Sequence, residues 1–202
     1  VDDHGRWTPV VDLLEDVKAA DPVMFKHGDR YWLAYTDTAH GAMDNLCLMY
    51  AEDIEGPWRA HANNPVKVDI RGSRMAGRPF EHDGRLYRPA QDCLQSYGSA
   101  VVIQRVDHLS PWHYEETSVR RLEADVAAHL PHGMHTISSW GDRTLVDAKI
   151  ERMNPVAWMR KLRQRLGIPA RQAAAAGRKV ERVFVYVPYL RTSGELKSKP
   201  SQ

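Results

Sequence analysis

The chain has 202 residues, 43% of them hydrophobic and 27% charged, with a formal net charge of +2. This suits one folded domain with an appendage; no run of about 18 apolar residues is present, which excludes a membrane-crossing helix within it. Two cysteines, Cys47 and Cys93, exclude a disulfide framework.

No basic-then-apolar leader opens the chain, and it begins at Val1, so it is expected to be a piece of a longer polypeptide. The small net charge hides an asymmetry. Residues 1–150 carry 16 Lys+Arg against 23 Asp+Glu, whereas residues 151–202 carry 12 against 3. The split divides the chain into an acidic part, 1–150, and a basic extension, 151–202.

In chain order, the first element is an apolar strand at 21–26, followed by the turn Gly28-Asp29 and a strand at 30–37. Strands at 45–52 and 57–61 follow, the last opening on Pro57-Trp58. The pattern then repeats: 77–82, the turn Asp83-Gly84, 85–91, 99–106, and 112–117 around Pro111-Trp112. Met134 to Leu145 is a third hairpin of the same form. Gly and Asp tolerate the positive φ that such turns need. Phe25 and Phe80 are 55 residues apart, Phe80 and Ile137 57, and the two Pro-Trp pairs 54. Four strands per repeat of this length predict β-propeller blades; the competing reading is a β-sandwich with chance hairpin similarity. About 150 residues make only two to three blades, and a ring needs four or more. The rest of the ring is expected from missing sequence, another chain or self-association, because open strand edges invite pairing.

Beyond residue 154 the pattern changes. Asn154-Pro155 starts a predicted basic amphipathic helix over 155–166, with Val156, Met159, Leu162 and Leu166 on one side and Arg160, Lys161, Arg163 and Arg165 on the rest. It has three candidate partners: the acidic blades, an anionic membrane surface, or a neighbouring subunit. Ala173–Ala176 predicts a short helix, and Val183–Val187 a strand able to pair with an open blade edge. Residues 192–202 are polar and Lys-rich. A cytoplasmic or peripheral-membrane location is expected.

Several segments carry a resemblance: Arg6-Trp7-Thr8-Pro9, Leu13-Leu14-Glu15-Asp16, Ala20-Asp21-Pro22, Tyr31-Trp32, Ala76-Gly77-Arg78, Gly84 to Asp92, and His135-Thr136. Together they resemble the later blades of the five-bladed propeller domain at the N-terminus of glucosamine inositolphosphorylceramide transferases. More distantly they are similar to propeller glycosidases of the arabinanase/xylosidase and invertase/levansucrase type. The resemblance spans about residues 5–148. It implies an all-β, partial five-bladed propeller that binds a sugar at its axis through the innermost strands. It also implies that two blades preceding Trp7 are absent from this chain.

Glycoside cleavage needs two carboxyl groups flanking the bond. By resemblance, Asp21 of Asp21-Pro22 matches the aspartate that supports the transition state. The glutamate expected before Phe80 is missing, because Met75-Ala76-Gly77-Arg78-Pro79 stands there. The inner strands instead offer Arg71, Arg74, Arg78 and Arg88, with Gln91 and Asp92. Guanidinium forks suit phosphate or carboxylate, so an anionic sugar or glycolipid headgroup is expected, with Tyr97 or Trp32 stacking on a sugar face. The same arginines have a plainer use, satisfying Asp21, Asp69 and Asp92 between blades.

His135 opens the third inner strand and is an axial candidate for a sugar hydroxyl. His129, His132 and His135 have ligand-like spacing, but Pro131 and Gly133 interrupt it, and no metal or other cofactor is expected. The sequence reading is a carbohydrate-recognition module of a glycan-modifying or glycosyl-transferring protein. Two alternatives stay open: a propeller hydrolase or transferase with its first carboxylates in missing blades, or a structural assembly module. No nucleic-acid partner is expected.

Overall fold

A computed structural model describes residues 9–123, 132–140, 143–151 and 180–188, and every regular element among them is a strand. β1 (Ala19–His27) and β2 (Arg30–Asp37) form a hairpin closed by Gly28 and Asp29, with Gly28 at φ 62°. β2 pairs with β3 (Asn45–Ala51), and β3 with β4 (Arg59–Ala60); the short β5 (Lys67–Val68) pairs with the other end of β3. A second sheet runs in the order β6 (Phe80–His82), β7 (Arg85–Asp92), β8 (Ala100–Leu109), β9 (Tyr114–Leu122). Its hairpin loop has Asp83 at φ 49° and Gly84 at φ 69°. Positive φ at both central residues makes this a type I′ turn, whose twist matches that of the flanking strands. β10 (Ile137–Trp140), β11 (Arg143–Glu151) and β12 (Val180–Pro188) form a third antiparallel sheet.

These are consecutive blades of a β-propeller: each is an up-and-down meander, and their innermost segments meet one another. Asp21 of β1 bonds to Gln91 of the second blade, and the Ile137 N–H donates to the Ala76 carbonyl at 2.7 Å. The fold is all-β and a partial ring, with two complete four-stranded blades and a third of three described strands.

β2, β3 and the first half of β8 are buried on both faces, so they read as near-continuous apolar runs rather than as an alternation, whereas the outer strand β9 is largely exposed and polar. In β2, Trp32 and Ala34 face the second blade and join Phe25, Leu46, Leu48, Met75 and Leu86. Leu33 and Tyr35 face the other way, against Cys47, Leu13, Leu14 and Val17. Between the second and third blades lie Ala76, Val101, Ile103, Met134 and Val146. Burying each large apolar side chain of this kind stabilises the fold by about 1.5–3 kcal/mol. Cys47 and Cys93 are buried free thiols. Burial, the largest influence, pushes both thiols up, as fits small core residues.

Two details differ from the sequence pattern. The third hairpin closes with Trp140 opposite Arg143, as His27 faces Arg30 and His82 faces Arg85. Counting back from that loop, Ser138, and not Ile137, takes the place of Phe25 and Phe80. The second blade's inner strand is also interrupted. Pro79 has no N–H to donate, so pairing lapses over Gly77-Arg78-Pro79 and resumes at a Met75–Ala90 bridge. From the basic extension, Val183–Val187 lies within β12, which pairs along β11 from Arg143 opposite Pro188 to Glu151 opposite Val180. The expected helix over 155–166, the alanine segment 173–176 and residues 192–202 lie outside the described residues.

Candidate functional site at the blade axis

The site starts with a break in β1. The register slips between Ala20 and Val23, and Asp21 adopts φ 46°. Left-handed backbone is strained for a side-chain-bearing residue, least so for Asp and Asn, and strained positions concentrate at functional sites. The bulge turns the Asp21 carboxylate across to the second blade. There its Oδ2 accepts hydrogen bonds from Arg74 Nε and from Gln91 Nε2, both at 2.7 Å. Gln91 Nε2 also donates to the Met75 carbonyl at 2.7 Å, which fixes the amide.

Arg74 carries the network onward. It donates to the Ala42 carbonyl, and its guanidinium lies 4.9 Å from the Tyr97 ring centroid, in cation–π range. Burial opposes its charge but is outweighed by Asp21, so its pKa is raised. Tyr97 in turn meets His135, with ring centroids 5.4 Å apart. The Lys149 ammonium donates to the Tyr97 carbonyl and to Ser96 Oγ, pinning the loop that carries Tyr97.

His135 Nδ1 is paired with Asp147 Oδ2, and the other carboxylate oxygen accepts the backbone N–H groups of His135 and Thr136 at 2.9 and 2.8 Å. Burial works against the Asp147 charge, but the His135 ring and these two N–H groups outweigh it and lower its pKa. A carboxylate on Nδ1 favours the tautomer with the proton there, leaving Nε2 as an acceptor. Asp21, Arg74, Gln91, Tyr97, His135 and Asp147 thus form one connected chain through three blades.

The other residues singled out from the sequence lie elsewhere. Arg88 is not axial. It is 2% exposed, held between the first two blades by Glu116, Tyr114 and the carbonyls of Ser73 and Gly72. Burial opposes the Arg88 charge; Glu116 and Tyr114 more than compensate, so its pKa is raised, and the Glu116 carboxyl is held below the usual range. Trp32 is 2% exposed in the core and has no sugar-facing ring. Asp92 ends β7: its Oδ1 accepts the Leu94 N–H at 2.9 Å, as Asp37 Oδ1 accepts the Ala39 N–H at the end of β2, and Oδ2 pairs with Arg121. Arg78 is exposed beside the strand break, outside the network. Asp147 and Lys149 were not singled out from the sequence. Their signal was charge inside the apolar run of β11, where a buried charged residue implies a partner.

Residues 6–159 match a family model described as glucosamine inositolphosphorylceramide transferase 1, N-terminal. The chain belongs to that family. Among curated relatives, glucosamine inositolphosphorylceramide transferase 1 of Oryza sativa subsp. indica is 34% identical over 119 residues, 56% of this chain and 16% of the relative. Its counterpart in Arabidopsis thaliana is 36% identical over 104 residues, 49% of this chain and 14% of the relative. The chain therefore spans about a sixth of the length of these transferases. Two solved structures are similar: Bacteroides ovatus xyloglucan PUL GH43B has a TM-score of 0.40 at 16% identity, over 65% of this chain and 23% of that one. Zg3597, a family 117 glycoside hydrolase from Zobellia galactanivorans, has a TM-score of 0.39 at 17% identity, over 71% of this chain and 44% of that one. The family fits a propeller domain of glycan-modifying proteins, and Asp21 and His135 lie within the matched span.

Proposed function

We propose that this domain recognises a sugar, free or as a glycolipid headgroup, at the propeller axis, as the binding module of a glycosyl-transferring protein. The observation that carries the reading is the connected chain from Asp21 to Asp147. It gathers an aspartate, an amide, an aromatic face and a histidine acceptor from three blades, a set suited to sugar hydroxyls and a ring face.

Arg74 is matched by Asp21, and the Asp147 carboxylate is satisfied by the His135 ring and two backbone N–H groups. With the axial guanidinium already matched, a neutral, hydroxyl-rich part of the ligand is favoured there, rather than the anion expected from the arginine count. Asp147 has both oxygens engaged by His135 and Thr136, which leaves Asp21 as the one carboxylate of this network with an oxygen to offer; cleavage needs two carboxyl groups flanking the bond, so binding is favoured over cleavage.

The test is ligand-observed NMR of the 202-residue chain with glucosamine, N-acetylglucosamine, mannose and myo-inositol. Binding of at least one, weakened about tenfold or more by Asp21→Asn and by His135→Ala, supports the reading. Binding untouched by either change, or none to any probe, overturns it. Release of free sugar from a glycoside, abolished by Asp21→Asn, would replace it with the hydrolase reading.

A further inference from the structure

The first two blades also meet away from the axial network, where the residues just after β4 reach the turn between β8 and β9. The Ala62 N–H donates to the Pro111 carbonyl at 2.9 Å, and Asn63 Nδ2 to the Trp112 carbonyl at 2.8 Å. The turn that receives these bonds is itself tied. The Ser110 N–H donates to the His113 carbonyl at 2.9 Å, and the His113 N–H to Ser110 Oγ at 3.0 Å.

His61 lies under this contact and is 3% exposed. The Asn63 N–H donates to its Nδ1 at 3.1 Å. Nδ1 is therefore an acceptor, so the ring is neutral and carries its one proton on Nε2. Nε2 is buried and has no hydrogen-bond partner. A second proton has to go to Nδ1, where it would stand against the Asn63 N–H and break that bond. The segment that must then rearrange is the one that carries both bonds across the seam.

The surroundings oppose a charged ring. From the first blade, β3 presents the uncharged Leu48, whose carbonyl accepts the His61 N–H at 3.0 Å. From the second blade comes His113, which lies 3.5 Å from Glu115 of β9 and whose ring centroid is 4.5 Å from that of His108 of β8. Burial is the largest influence on His61 and lowers its pKa from the ordinary 6.5; the His113 charge acts in the same direction, and the backbone of His113 and Ser110 against it.

We propose that residues 61–63 and the β8–β9 turn form an acid-opened clasp between the first two blades, in which protonation of His61 breaks its bond to Asn63 and releases the seam. The proposal does not depend on the sugar-binding reading. The folded state takes up the second proton less readily than the unfolded chain. The clasp's contribution is thus fully present above 6.5 and is lost as pH falls through the lowered folded value.

The experiment follows the full chain by NMR from about pH 7.5 to about pH 5, reading the His61 ring and the hydrogen-exchange protection of single amides. Protection of the Ala62 amide is expected to fall at least about tenfold, with the midpoint of the His61 ring titration. The Gln91 N–H, bonded to the Arg74 carbonyl at 2.8 Å, should keep its protection over the same range. His61→Asn places an amide oxygen where Nδ1 was and cannot take up a proton, so the transition should disappear. His113→Gln changes a half-exposed side chain and removes the opposing charge. It should move the midpoint to higher pH, a shift that a merely structural role for the ring would not produce. An Ala62 amide unchanged across the range overturns the proposal. So does a loss that persists in His61→Asn, or one that Gln91 shares. Should His61→Asn fail to fold, His113→Gln decides: a midpoint equal to that of the unaltered chain overturns the proposal.

Discussion

Arg74 and Arg88 belong to the same blade and each has a carboxylate partner, yet they sit in opposite environments. Arg88 lies inside the boundary between the first two blades. Its nitrogens are engaged by Glu116, Tyr114 and two backbone carbonyls, and both it and Glu116 are almost fully buried. Arg74 lies at the axial lip, where the Asp21 side chain is 33% exposed and Arg74 itself 11%. A buried, fully satisfied pair is a fixture of the architecture, since removing one partner strands a charge away from water. A pair at the lip is weakened by solvent and can exchange partners with a ligand. The lesson is that depth, more than residue type, assigns an arginine to structure or to binding.

The largest effect should come from the interior. Glu116→Gln leaves the Arg88 charge uncompensated and is expected to lower unfolding free energy by about 3–5 kcal/mol in a denaturant titration. A loss below about 1 kcal/mol would erase the distinction between the two pairs.

Next is the contact between the second and third blades. Gly77 has φ 143°, and a Cβ there would stand 2.0 Å from the Ile137 carbonyl oxygen. Gly77→Ala should cost about 2 kcal/mol or more, because a backbone atom has to move and the φ is unfavourable for alanine. Thermal unfolding measures it. Gly98 plays a related part at the site. A Cβ there would lie 2.1 Å from His135 Cβ, so Gly98→Ala should weaken sugar binding through displacement of His135.

Acid should distinguish the same two regions. Glu116 and Asp147 both have pKa values lowered in the folded state from ordinary values of 4.5 and 3.8. Their contribution is fully present above those ordinary values and is lost as pH falls through the lowered folded ones. Melting temperatures followed from about pH 7 to about pH 3 should therefore drop on the acid side, and Glu116→Gln should flatten that drop. An unchanged acid limb would remove Glu116 from the interior pair's account.

The smallest stability effect is expected at the lip. Asp21→Asn retains a residue that tolerates left-handed backbone and should change stability by under about 1 kcal/mol, while weakening sugar binding about tenfold or more. Equal, large losses of stability from Asp21→Asn and Glu116→Gln would show that depth does not sort these pairs.

Much of this arrangement was legible from the residues in order. Strand positions in the first two blades follow from apolar runs punctuated by Gly-Asp and Asp-Gly, because turn conformation and strand pairing are local. The repeat spacing then implied blades, and the Asp21-Pro22 and Gly84–Asp92 segments pointed to the family. Asp21, Arg74, Gln91, Tyr97 and His135 were singled out at this level, and folding places them side by side. What sequence order could not supply was depth and partnership. Arg88 and Trp32 looked equivalent to their axial neighbours until the stacking of one blade on the next enclosed them. Asp147 acquired a role only when β11 brought it beneath His135, twelve residues away along the chain. The linear pattern fixes the hairpins because they close over a few residues. Which side chain meets water, and which meets an opposite charge, is decided by how separate blades pack, and no single stretch of residues contains that information.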